Sequence, residues 1–218
     1  MINIILLARF INKQSYKPAM DAEKIDLYDA LSLILSAVDG RPNGKAVLQG
    51  LIYFCCRSVA NIESVRFEPS YNGPYSERAI DVMYRMTSCG FLEHVTIRSS
   101  SYRIDYYELT KSGEHLAEDA KKLHGDDYSA ICNIIDKCYA AIESPSAGPE
   151  AAEFREKKLL RIAKVHYLLR KFQTDSPDKI SEYAKGYGWN MDSALVSGHL
   201  PLAMEFNECY AQTPDPWD

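Results

Sequence analysis

The hydrophobic period of this chain changes twice, and these changes limit the folds open to it. Up to residue 90 the apolar residues recur at helical spacing except in a short extended piece at 65–69, then they alternate to residue 109, and afterwards helical spacing returns. The alternating stretch holds two β-type runs joined by three serines, which is the length of a hairpin loop. The predicted elements are helix, helix, strand, helix, hairpin and helix, over residues 26–38, 44–60, 65–69, 76–89, 91–109 and 111–123.

This order of elements is that of a winged helix-turn-helix, in which three helices precede a two-stranded wing. The sequence therefore predicts a mainly α fold with a small β-hairpin wing, occupying residues 26–143 together with one more amphipathic helix at 126–142. An unrelated α+β domain is the alternative interpretation.

The third predicted helix is preceded by a turn that glycine and proline define. Gly73 allows a positive φ, and Pro74 restricts the residue before it, so the Asn-Gly-Pro run is not helical. Ser76 follows as an N-cap with Glu77 in the first helical turn.

The rest of the chain is predicted to form a second helical unit. Residues 144–150 are small and rich in Pro and Gly, which is typical of a linker. Three helices follow, and their tight turn predicts an HTH-like unit without a wing, in which Pro201 should kink or split the last helix. The three helices are predicted at residues 151–172, 178–186 and 192–209. The unit as a whole covers residues 151–212, and a loose tail follows at 213–218.

The N-terminal residues 1–25 are predicted to form an arm. They begin with an apolar stretch that is an edge strand, a docking arm or, alternatively, an incorrect start upstream of Met20. That stretch is far shorter than the roughly 20 residues of a membrane span and lacks the features of a signal peptide. No membrane association is expected.

Composition places the chain among globular proteins and argues against a general affinity for polyanions. Apolar residues make up 46% and charged residues 25%, and the net charge is −5. Any nucleic-acid contact must therefore come from a local basic patch. None of the six cysteines forms a CxxC pair, which favours reduced thiols and a cytoplasmic location.

Three segments resemble one group of proteins. Residues 45–54 (KAVLQGLIYF), residues 71–76 (YNGPYS) with CGFL at 89–92, and residues 107–113 (YELTKSG) are similar to the corresponding motifs of YwgA-like and Panacea-type winged-helix proteins. Residues 162–169 and 183–189 look like the second helical unit of the YwgA-like group, so the likeness covers about residues 26–209. Gly50 departs from the pattern of these proteins, which usually have a Lys at this position. A basic contact made by that Lys therefore cannot be carried over to this chain.

The resemblance implies binding rather than catalysis. Such families supply transcription regulators, antitoxin-like proteins and accessory subunits of bacterial defence systems, and a similar Gly-Pro-Tyr-Ser segment occurs in middle components of systems built on ABC-type ATPases. The resemblance does not identify a partner.

No catalytic or metal-binding constellation stands out along the chain. The five histidines lack HxxxH and HExxH spacing, and Gly44-Lys45 lacks the preceding glycine of a phosphate loop. We therefore expect no enzyme activity, no cofactor and no metal.

Two regions carry candidate nucleic-acid contacts. The first is the third helix with its wing, where the candidates are Ser76, Arg78, Arg85, Arg98 and Arg103. From residue 41 to 123, however, 11 basic residues stand against 10 acidic ones. This near-neutral charge is poor for strong binding to phosphates, and it is also compatible with a winged helix that contacts proteins.

The second region is the long helix of the C-terminal unit. Residues 155–171 contain seven Lys or Arg and one Glu. Lys157, Arg161, Lys164 and Lys171 share one helical face, opposite Leu159, Ile162, His166 and Leu169. Such a stripe binds a nucleic-acid backbone or an acidic partner, or is simply a solvated face.

The first hypothesis is a DNA-binding regulator or accessory factor, whose partners are DNA and a second copy of the chain in a homodimer. The alternative is a protein–protein interaction module, either antitoxin-like or a winged-helix subunit of an ATPase-driven defence complex. Its partner is then a toxin or an ATPase subunit.

Overall fold

A computed structural model of the chain describes residues 24–39, 44–98, 103–143 and 149–207. Over these residues the protein is mainly helical, with two small antiparallel sheets, as the sequence predicted in outline. The helices are α1 (Leu27–Val38), α2 (Lys45–Ser58), α3 (Glu77–Ser88), α4 (Lys111–Leu123), α5 (Gly125–Ala141), α6 (Pro149–Phe172), α7 (Pro177–Gly186) and α8 (Ser193–Asn207). The strand pairs are β1 (Glu68–Ser70) with β2 (Gly73–Tyr75), and β3 (Leu92–Arg98) with β4 (Arg103–Leu109).

Several predicted segments lie outside the described residues. They are the arm up to residue 23, the serine loop of the hairpin, the linker from residue 144 to 148, and the tail. Cys209 belongs to the same group.

Polar side chains begin three helices in the first part of the chain. The Asp26 carboxylate accepts hydrogen bonds from the backbone N–H groups of Tyr28 and Asp29 at the start of α1. The Ser76 and Thr110 hydroxyls accept from the third residue into α3 and α4 respectively. Each cap satisfies a backbone donor that has no partner inside its helix, so these side chains fix where the helices start.

The segment before α3 differs from the prediction in one respect. A strand was expected at residues 65–69 and a turn after it, but the turn residues form β2, which pairs with β1 at residues 68–70. Gly73 lies in this ladder at φ +137°, and Ser70 Oγ donates to the Gly73 carbonyl at 2.9 Å. The positive φ predicted for Gly73 is confirmed, and it serves a tight two-stranded ribbon.

A single hydrophobic core includes residues from both predicted units. α2 lies at its centre, and nine of its residues, from Val47 to Cys55, are buried. α6 packs closely on α2, because a Cβ at Gly50 would lie only 3.1 Å from the Leu159 side chain. A longer side chain at position 50 would therefore require the Leu159 side chain to move. The division into domains at residues 144–150 stays a prediction.

The C-terminal helices differ from the prediction in two details. α6 begins at Pro149, inside the expected linker, because proline is well suited to the first turn of a helix. α8 is one helix from Ser193 to Asn207, so the split that was one of two expected outcomes at Pro201 does not occur. The residues Val196, Ala203 and Phe206 on either side of Pro201 are buried, so packing holds both halves of the helix in place.

Substitution Gly73→Val is expected to destabilise the fold by about 1–3 kcal/mol, because a β-branched residue is strained at positive φ. The new side chain would also meet Lys164 of α6, whose Cγ would lie 3.6 Å from a Cβ at this position. Urea unfolding of parent and variant measures the change. If the variant were as stable as the parent, Gly73 would not have the positive φ described for it.

Candidate interaction surfaces

The outer face of α3 is the first surface that the sequence singled out. The inner face is buried through Ala79, Ile80, Val82, Met83 and Met86, and this burial turns the charged residues outward. Ser76, which was also predicted to contact nucleic acid, does not lie on this outer face. It is 1% exposed, its hydroxyl caps α3, and its backbone N–H donates to the Gln49 side chain. Ser76 therefore has a structural role as a helix cap and is not accessible to a nucleic acid, contrary to the prediction.

Both predicted arginines of α3 are bound to carboxylates of the protein itself. Arg78 Nη2 donates to both oxygens of Glu63, at 2.9 and 2.8 Å. Arg85 Nε lies 2.8 Å from Asp81 Oδ2, one helical turn earlier. Asp81 is the largest influence that raises the pKa of Arg85, followed by Tyr28. The exposed face of α3 therefore carries its positive charges in neutral pairs.

A tyrosine that the sequence reasoning missed is also exposed on α3. Tyr84 is 51% exposed, and its hydroxyl accepts a hydrogen bond of 2.9 Å from Lys45 at the start of α2. This bond is the largest cause of the raised pKa of Lys45. The available signal was the position of Tyr84 in the helical period, because an aromatic residue outside the apolar stripe of α3 must point outward.

The hairpin of β3 and β4 places the remaining two candidates of this region opposite each other. Arg98 and Arg103 are cross-strand partners at the end of the ladder where the connecting loop joins the two strands. At the other end Glu93 pairs with Glu108. Like charges directly opposite in an antiparallel pair destabilise it, so the Glu93–Glu108 pair is unfavourable for the hairpin.

The basic stripe of α6 has the orientation that its spacing predicted. Leu159, Ile162, His166 and Leu169 are buried. The four cations on the other side differ in their contacts. Lys157 Nζ forms an ion pair with Glu153 at 2.5 Å, while Arg161 is half-buried and has no acidic partner among the described residues.

The other two cations of the stripe lie against aromatic rings. Lys164 Nζ donates to the Tyr71 carbonyl at 2.9 Å and lies 5.3 Å from the ring centre of Trp189. Lys171 Nζ donates to the Tyr167 hydroxyl at 3.3 Å and lies over the Tyr187 ring. Burial and the charge of Arg161 lower the pKa of Lys164. The structure thus brings Arg161 and Lys164 together and ties Lys164 to the first hairpin.

A buried histidine on the opposite side of α6 was expected only as part of its apolar face. The His166 Nδ1 atom shares a 2.8 Å hydrogen bond with the Tyr53 hydroxyl of α2, and the Nε2 atom is buried with no partner. Burial, helped by the charges of Arg170 and Arg57, lowers its pKa to about 3. His166 is therefore neutral and structural.

Metal ligands are not clustered in the part of the chain that the structure describes. No group of three or more His, Cys, Asp or Glu side chains there is placed to hold a metal ion. The five cysteines within it, Cys55, Cys56, Cys89, Cys132 and Cys138, are free thiols. No described helix is both long enough and apolar enough to span a bilayer.

In comparisons with known proteins, no family model matches the chain, and none of the curated proteins matches it. The function is therefore inferred from the geometry of these surfaces.

Proposed function

We propose that this chain is a non-catalytic winged-helix protein that binds a partner protein through the outer face of α3. The order of its elements, with α3 followed by the β3–β4 hairpin, supports the winged-helix interpretation. The observation that carries the choice of partner is the pairing of Arg78 with Glu63 and of Arg85 with Asp81.

The charge of the face argues for a protein. DNA affinity comes from cations that displace counterions from phosphates, and each such cation must be available. On α3 the exposed charged residues Glu77, Arg78, Asp81 and Arg85 comprise two of each sign. A phosphate backbone would meet two carboxylates as well as two arginines, whereas a protein surface of mixed charge can match such a pattern.

The residue types on the face argue in the same direction. Tyrosine and arginine are enriched among the residues that contribute most to protein interfaces. Tyr84 presents an exposed ring that the bond from Lys45 holds in position, and Arg85 is exposed on the same helix. The resemblance suggests a toxin or an ATPase subunit as the partner, with a second copy of the chain as a further candidate in a homodimer.

The proposal is tested by affinity purification from the source organism with the parent and with Tyr84→Ala, followed by titration of the purified partner. Loss of an interface tyrosine is expected to weaken binding about 30-fold, which corresponds to about 2 kcal/mol. Leu123→Ala, which alters a side chain that is 75% exposed on α4, is the matched control. Equal binding by parent and Tyr84→Ala would overturn the proposal.

A DNA-binding regulator is the second candidate, and one observation favours it. The register of the hairpin pairs Arg98 with Arg103 beside the loop, and two basic residues at that position suit a bound phosphate. Asp81→Asn separates the two candidates, because it removes the partner of Arg85. If α3 reads DNA, this variant binds duplex DNA more tightly; if α3 binds protein, duplex affinity is unchanged and partner affinity falls.

A further inference from the structure

A second surface, on the side of α6 that meets the first hairpin, is independent of the function proposed for α3. We define the Tyr71 patch as Tyr71, Arg161 and Lys164. We propose that the Tyr71 patch binds single-stranded nucleic acid, with a base stacked on the Tyr71 ring and phosphates bound by the α6 cations.

The aromatic part of the patch is exposed and lies on an anchored backbone. The Tyr71 side chain is 86% exposed at the tip of the β1–β2 hairpin. Its carbonyl accepts from Lys164, and the preceding carbonyl, that of Ser70, accepts a 2.6 Å bond from Trp189 Nε1. A ring on an anchored backbone loses little conformational freedom when a flat ligand stacks on it.

The cationic part of the patch is not neutralised. Burial and the nearby positive charge of Arg161 lower the pKa of Lys164, and no carboxylate counteracts them. Arg161 itself has no acidic partner among the described residues. This differs from α3, where each arginine has its carboxylate, and it leaves a local positive region on a chain whose net charge is −5.

The spacing of the cations extends this region along α6. Arg161 and Lys164 are three residues apart, or about 4.5 Å at the rise of an α-helix, whereas Lys157, one turn before Arg161, is paired with Glu153. Lys171 lies further along the same face, over the Tyr187 ring. A strand lying on α6 would therefore meet several cations.

Single strands fit this arrangement better than a duplex. Inside a duplex the bases are already stacked on each other, so the exposed Tyr71 ring has no base to accept. An acidic protein segment would satisfy the cations and leave the ring without a flat partner. The combination of aromatic platform and backbone cations is the one that sequence-tolerant single-strand binders use.

The test is fluorescence anisotropy with a labelled oligothymidylate of about 12 nucleotides at low salt, a length within the usual site sizes. Tyr71→Ala is expected to weaken binding about 5- to 100-fold, while Tyr71→Phe, which keeps the ring, stays within about two-fold of the parent. Arg161→Gln is expected to shallow the slope of log affinity against log salt by about 0.7. Leu123→Ala and Lys111→Gln on α4 are the matched controls and should bind as the parent does.

Four results would overturn the proposal. They are no binding of the oligonucleotide by the parent, equal binding by Tyr71→Ala, tighter binding of a duplex of the same length, and equally effective competition by polyglutamate. The last result would assign the patch to an acidic protein segment. None of them bears on the α3 face, which is tested with different variants.

Discussion

Acidification from pH 6.5 to about pH 4 is expected to lower the free energy of unfolding by about 3 kcal/mol through His166 alone. The folded pKa of His166 is about 3, against 6.5 for an exposed histidine. Between these values the unfolded chain binds a proton and the folded protein does not. Stability is therefore complete above pH 6.5 and falls by about 1.4 kcal/mol per pH unit as the pH drops toward 3.

The cause of this loss is the environment of the ring. His166 is fully buried, edge-on to Tyr53 and Phe54, and its Nδ1 atom shares a hydrogen bond with the Tyr53 hydroxyl. A charged imidazole in this position would be desolvated and would also meet the charges of Arg57 and Arg170.

The measurement is urea unfolding at several pH values for the parent and for His166→Gln. Carboxylates also titrate in this range, so the difference between the two proteins isolates the histidine. The parent should lose more stability on acidification than the variant. Parallel curves for the two proteins would show that His166 takes up its proton equally in the folded and unfolded states.

Trp189→Ala is expected to destabilise the protein by about 3–5 kcal/mol, the usual cost of removing a buried aromatic side chain. Trp189 is 1% exposed and packs against Tyr167 and Tyr187. Its Nε1 atom donates to the Ser70 carbonyl, 119 residues earlier. The substitution removes apolar packing and also leaves a partly buried carbonyl without its donor.

This substitution also tests how far the two predicted units unfold together. Because Trp189 joins the turn after α7 to the β1–β2 hairpin, we expect one unfolding transition in the parent and a shift of the whole transition in the variant. Trp189→Phe should cost less, since it keeps most of the packing. Leu123→Ala should change stability by no more than about 0.5 kcal/mol. Two separate transitions in the parent would instead support independent domains.

The local features of the fold could be predicted because each depends on neighbours in sequence. Ser76 and Thr110 were recognisable as caps from the polar residue before an apolar period, and Gly73 from the glycine before a proline. The buried side of α6 followed from helical spacing, so Leu159 and Ile162 were placed correctly.

The features that decide function depend on distant contacts, which spacing does not reveal. Asp81 lies one helical turn from Arg85, so that pair had a visible signal. Glu63 lies in the segment before β1, and nothing local predicts that it reaches Arg78. The anchoring of Tyr71 by Lys164, 93 residues later, was equally hidden. The basic residues that the sequence singled out therefore include several whose charge is already paired with a carboxylate of the protein and is not available to a ligand.

The most direct test of the central claim, that the α3 face binds a protein, is photo-crosslinking in cells of the source organism. Tyr84 is replaced by the photoreactive aromatic benzoylphenylalanine, which suits a position that is 51% exposed, and Leu123 is replaced in the same way as the control. We expect a covalent protein adduct at position 84 that is absent at position 123. An adduct to DNA at position 84, or no adduct there, would contradict the claim.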